Sequence, residues 1–113
     1  MIGQAINDFR IHSGARPVNY WDRPGDDYCA AHSRAMADRG ALYHSEEHYR
    51  PGLGELVGYA KIVCAFDDTV KWIIWEQFGK STEGHREALL GWQRVAYGYF
   101  VQDGVLYLTI RGC

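Results

Sequence analysis

The sequence predicts an α+β domain, helices packed on a small antiparallel sheet of about three strands. Two observations carry this expectation. The C-terminal stretch RVAYGYFVQDGVLYLTIRG holds two alternating apolar runs joined at Asp103-Gly104, the pattern of a β-hairpin with a primed turn. Upstream of it, three segments space their apolar residues at helical intervals, and strands that follow helices favour an α+β arrangement.

Taken in order, Ile2, Ala5, Ile6 and Phe9 define a first amphipathic helix that Gly14 can stop. ARPVNYWDRPGD reads as a loop with Val18 and Trp21 as apolar plugs and Pro24 suited to a helix's first turn. Tyr28, Cys29, His32 and Met36 form the stripe of a second helix over 26–39, ended by Gly40. In ALYHSEEHYRPGLGELVG, Pro51, Gly52 and Gly54 oppose a continuous helix. A short strand is expected over 56–63. FDDTVKWIIWEQFGK, with an Asp-rich start and Val70, Ile73, Ile74 and Phe78 at helical spacing, predicts a third helix. GHREALLG adds one or two turns.

The 113 residues form one domain, long enough for a single core. A net charge of −2 with interspersed signs gives no electrostatic case for nucleic acid, and no basic amphipathic segment points to a membrane surface. The longest apolar windows are broken by lysines and too short to span a bilayer. MIGQAINDFR has neither the basic start nor the apolar run of a signal peptide, so the protein is expected to be intracellular or to have lost a leader. Three cysteines permit at most one disulfide. Cys29 falls on a buried helical stripe; Cys64 and Cys113 end two strands and could pair if those ends are neighbours.

No H-E-x-x-H, phosphate-binding Gly-rich loop or G-x-S-x-G elbow is present. The candidates for chemistry are therefore five histidines (His12, His32, His44, His48, His85) and the carboxylates of Glu46, Glu47, Glu55, Glu76, Glu83 and Glu87. Two neutral imidazoles with one or two carboxylates can bind a divalent ion such as Zn²⁺, or run acid/base chemistry if burial separates their pKa values. Spacing alone does not choose among them.

INDFRIHSGARPVNYWDR and CAAHSRAMADRGALYHS resemble the opening of CAP-superfamily domains, the cysteine-rich secretory, antigen 5 and pathogenesis-related class 1 proteins. That family has an N-x-x-R helix, a G-x-x-x-[LV]-x-[WY] loop and a helix with an [HW]-[SA] pair leading to a histidine. Asn7, Arg10, Gly14, Val18, Tyr20, Ala31, His32, Ser33 and Met36 follow this pattern. GLGELVGYA resembles the family's G-E-N-[IL]-A segment, GHREALL its second histidine segment, and the hairpin its closing strands. Leu56 and Ala88 replace two asparagines of the pattern.

The resemblance implies an α-β-α sandwich, bacterial-type short form, with His44, Glu55, Glu76 and His85 lining a cleft. His44 and His85 would be the metal ligands, Glu76 completing the site with Glu83 as runner-up. Zn²⁺ or another divalent cation is the implied cofactor. The expected role is a secreted binding or interaction module for a lipid, sterol or extracellular protein; an intracellular or phage-encoded protein is the other reading of its origin. The alternatives are a metal-dependent hydrolase, protease or esterase, with Glu55 as general base, and a lipid or sterol carrier using the aromatic surface around VKWIIW or the hairpin. Glu46, Glu47 and His48 are expected on a solvated loop rim, apart from the site.

Overall fold

The computed structural model describes residues 1–113, the Tyr49 side chain excepted. Helix α1, Ile2–His12, forms where the apolar spacing predicts it and buries Ile2, Ala5, Ile6 and Phe9. Helix α2, Arg23–Arg39, starts a few residues earlier than the apolar stripe suggests because Pro24 fits its first turn. It stops at Gly40, whose φ of 64° closes the helix in the left-handed region.

A two-residue strand β1 (Tyr20–Trp21) precedes α2. A single 3-10 turn (Glu46–Tyr49) leads into β2, Gly54–Lys61. Helix α3, Phe66–Trp72, continues without a break as a π-helical segment, Ile73–Phe78, so the expected third helix is present with a widened second half. Helix α4, His85–Gly91, and the hairpin β3 (Arg94–Gln102) and β4 (Val105–Gly112) complete the chain. The hairpin turns at Asp103 and Gly104 with φ of 53° and 73°, the primed turn that the Asp-Gly pair predicts.

The strands are ordered β1-β3-β4-β2. Strands β2, β4 and β3 are antiparallel, as expected, and β1 adds a short parallel edge through Tyr20 opposite Arg94 and Trp21 opposite Val95. Side chains alternate between the sheet's two faces. Leu56, Leu106, Leu108 and Ile110 meet Ile6 and Phe9 of α1, Ile73, Ile74 and Phe78 of the π segment and Leu89 of α4 in the main core. Tyr107, Val57 and Phe100 meet Met36 and Ala37 of α2 on the other face. Helices therefore cover both faces, in an α-β-α arrangement.

Two close approaches set the spacing of these layers. A Cβ at Gly98 of β3 would stand 2.2 Å from the Ala30 amide nitrogen, so α2 rests directly on the strand's backbone. Next to that contact, the Ser33 hydroxyl donates to the Gly98 carbonyl at 3.1 Å and lies 2.8 Å from the Thr109 hydroxyl. On the opposite face the Trp92 indole covers Gly54 and Gly112, a facing pair at the end of β2 and β4. A Cβ at Gly112 would come within 2.1 Å of that ring.

Side chains also attend to the sheet's edges. Beyond the short β1, the Tyr97 amide donates to the Asp26 carboxylate at 2.9 Å, and on the outer side of β2 the Gln77 side-chain amide donates to the Tyr59 carbonyl at 2.7 Å. Asn7 and Arg10 of α1 act on loops. The Asn7 carbonyl oxygen accepts from the Val18 amide, while the Arg10 guanidinium donates to the Arg16 and Leu89 carbonyls.

The three cysteines are unpaired. Cys64 follows the far end of β2, where Lys61 faces Val105, and Cys113 follows Gly112, which faces Gly54. Seven residues of strand separate those ends by about 20 Å, well beyond the roughly 7 Å that a disulfide tolerates between Cα atoms. The condition for pairing is not met. Cys29 is fully buried, and burial pushes its thiol up to about 12 against the smaller opposing effect of the Arg111 charge.

In the native protein a thiol reagent is expected to modify the exposed Cys64 and Cys113 promptly and Cys29 only on unfolding, as counted by mass spectrometry. Gly98→Ala forces a methyl into α2's backbone and is expected to cost about 3 kcal/mol, read as a lower urea midpoint with an unchanged slope.

Candidate functional site

The period of two that sends Leu56 into the main core sends Glu55 to the α2 side of the sheet. There its side chain has no solvent exposure. Opposite it in register on β4 stands Arg111, itself buried, with Nε 3.5 Å from Glu55 Oε2. A buried charge persists only where it is paired and hydrogen-bonded, and the loop after α2 supplies what the arginine does not.

Ser45 donates to Glu55 twice, from its amide to Oε1 at 2.9 Å and from its hydroxyl to Oε2. His44 Nδ1 donates to Oε1 at 3.0 Å. Arg111 closes the ring by donating from Nη2 to the Ser45 hydroxyl oxygen at 3.3 Å and from Nη1 to Glu47 at 3.1 Å. Burial on its own would raise the Glu55 pKa; the Ser45 and His44 hydrogen bonds, helped by the nearby His32, outweigh it and hold the carboxyl below its ordinary value.

His44 is placed from behind as well. His32 of α2 donates from Nε2 to the Tyr43 carbonyl at 2.6 Å, and its ring meets the Tyr43 ring edge-on at 5.0 Å. The residue before His44 is thus fixed to α2, and the residue after it to Glu55. With Nδ1–H committed to the carboxylate, the neutral His44 ring carries its lone pair on Nε2, and the side chain is one-third exposed.

His48 corrects the expectation of a solvated rim. Pro51 and its neighbouring glycines do prevent a long helix, but one 3-10 turn suffices to lay the His48 ring on that of His44, with centroids 3.8 Å apart and planes 9° from parallel. Glu47 is drawn in by Arg111, while Glu46 stays exposed. His44, His48 and Glu55 each offer a ligand atom, and the three atoms lie within 4.8 Å of one another, a set that could hold a metal ion.

The other residues named from sequence sit elsewhere. Glu76 pairs with Lys80 one turn on, at 2.6 Å. His85 opens α4 with its ring against Phe78, which belongs to the core on the opposite face of the sheet from Glu55. Glu83 is exposed, its amide bonded to Ser81. Among the described residues none of these three joins the His44–Glu55 cluster. Ser45 and Arg111 were missed as site residues. The available signal for Arg111 was its place in the hairpin, an inward-alternating position holding a charge.

Fold and site together define an α-β-α module with a buried carboxylate clamped by a loop that presents two imidazoles. The fold, apart from the site, resembles that of a solved CAP/SCP family protein. The crystal structure of Na-ASP-1, a CAP/SCP family protein, matches 97% of this chain with a TM-score of 0.55 at 11% sequence identity. The chain spans 37% of the length of that structure, and the likeness is one of fold. No protein-family profile and no curated protein sequence matches this sequence. Among the described residues no helix is long and apolar enough to cross a membrane.

Because the Glu55 pKa is depressed in the folded state, the stability it contributes is present above the unfolded-state value near 4.3 and is lost as pH falls through the lower folded value. Glu55→Gln, studied with a chelator present, is expected to unfold at lower urea than wild type at pH 7. That gap should narrow below about pH 4.3.

Proposed function

We propose that this protein is a CAP-like binding module that takes a divalent metal ion at His44 and His48. The observation that carries the reading is the Glu55 carboxylate on His44 Nδ1, a carboxylate–histidine pair that orients the ring and leaves Nε2 as the ligand atom. His48 and Glu55 within ligand reach of one another support it.

The residues present fit such an ion with one adjustment. The in-plane lone pairs of two stacked, nearly parallel rings lie in planes that do not converge, so a single ion held by both requires His48 to turn about its side-chain bonds. Glu55 serves as the orienting carboxylate, since its oxygens are already engaged by Ser45, His44 and Arg111. When bound, a divalent ion would supply a fixed positive charge and open coordination positions for an oxygen ligand of a partner.

The hydrolase alternative loses its proposed base, because Glu55 has no exposed oxygen to face a water; proton transfer at this site would fall to His44 Nε2. A carrier reading has its own support. A largely apolar groove of about 640 Å³ runs along β2 and α3, with Tyr59, Val63 and Trp72 exposed on its walls, and suits an apolar ligand.

Titration calorimetry with Zn²⁺ is expected to give one saturable site in wild type and none in His44→Ala. His48→Ala should bind more weakly than wild type, and Glu55→Gln about 10–100-fold more weakly. Zinc bound as tightly by His44→Ala as by wild type would end the metal reading. For the carrier reading, organic extraction of purified protein should release a lipid from wild type and less from Trp72→Ala; a lipid-free extract of wild type removes it.

A further inference from the structure

A second concavity, of about 320 Å³, opens where the start of α2, the segment after the 3-10 turn and the ends of β3 and β4 meet. It adjoins the His44–Glu55 cluster only through Glu47 and Arg111. Three arginines line it, Arg50, Arg94 and Arg111, against the two carboxylates of Asp22 and Glu47, so its side chains carry one positive charge in excess.

The arginines differ in how they are engaged. Arg111 is buried at the back, its guanidinium over the Tyr28 ring at 5.6 Å and shared between Glu47 and Ser45. Arg94 lies 4.7 Å over the Tyr20 ring and has no ion pair, and the exposed Arg50 side chain has neither hydrogen bond nor ion pair among the described residues. Between these charges the wall is apolar, formed by Leu53, Ala96 and the face of Tyr28. Guanidinium groups recognise planar oxyanions through paired N–H donors, and a cleft of this size accommodates a small organic molecule.

We infer that this pocket binds a small organic carboxylate, its charged head on Arg50 and Arg94 and its apolar body against Leu53, Ala96 and Tyr28. A planar carboxylate matches the paired N–H donors of a guanidinium edge to edge, which a tetrahedral phosphate does less closely. Arg111 adds long-range attraction from behind, and Glu47 competes with the ligand for it. The inference is independent of the metal reading, because none of the three arginines is a metal ligand.

The test is a titration of ¹⁵N-labelled protein, with EDTA present, using benzoate, its neutral analogue benzyl alcohol, and phenyl phosphate. Benzoate is expected to give saturable shifts at the Arg50, Arg94 and Ala96 amides, and benzyl alcohol to bind about tenfold more weakly. Arg50→Gln/Arg94→Gln changes two exposed side chains and should keep the folded spectrum while losing about tenfold in benzoate affinity. Glu47→Gln should bind benzoate more tightly than wild type. His44→Ala should bind it unchanged while losing zinc, which separates this pocket from the metal site. Equal binding of benzoate and benzyl alcohol, wild-type affinity in the double variant, tighter binding of phenyl phosphate than of benzoate, or no saturable shift would each overturn the inference.

Discussion

An ionised carboxylate withdrawn from water costs several kcal/mol unless neighbours replace its hydration, and one end of this molecule is organised around that requirement at Glu55. The β2–β4 register supplies Arg111 directly opposite. One arginine contact at 3.5 Å is not enough for four lone-pair sites, so the loop after α2 is drawn onto the sheet to contribute Ser45 and His44. The loop's conformation follows from the carboxylate's demand. The presentation of two imidazoles at the surface follows from the loop. Replacing either buried partner with an apolar group would strand the other, which makes the cluster structural and functional at once.

The sheet end that carries this cluster is held from both faces. Trp92 lies flat on Gly54 and Gly112, whose lack of side chains admits the ring, and these residues flank Glu55 and Arg111 in sequence. On the other face α2 sits on the bare backbone of Gly98, and it reaches the cluster twice, through His32 to the Tyr43 carbonyl and through Tyr28 beneath Arg111. A helix packed this closely has little room to shift, because a movement of even a methyl's width meets backbone atoms. The placement of His44 is therefore inherited from packing some distance away.

Much of this was legible in the sequence because it is local. The hairpin announces itself through alternation and Asp103-Gly104, and α1 and α2 through apolar spacing with Gly40 as a stop. What was not legible depends on distant partners. Strand β1 is two residues long and exists only because β3 passes beside it. The π-helical half of the third helix keeps the same apolar residues buried and so leaves the same pattern. His44 and Glu55 were found through a family resemblance. Pro51 and the glycines exclude a long helix through His48 but not a single 3-10 turn, and packing at Lys80 and Phe78 keeps Glu76 and His85 away from the cluster.

The attention paid to the sheet's borders bears on how the protein behaves at high concentration. An open β-sheet invites a neighbour's strand to extend it, and a four-stranded sheet has two such invitations. Here one border is nearly absent, reduced to two residues, with the Asp26 carboxylate occupying the amide just beyond them. The other, along β2, has the Gln77 amide seated on the Tyr59 carbonyl and a lysine at its end. Each device removes a hydrogen-bonding position that a second chain would need. Both borders of the sheet are thus blunted by side chains rather than by further strands, within the same elements that position the site.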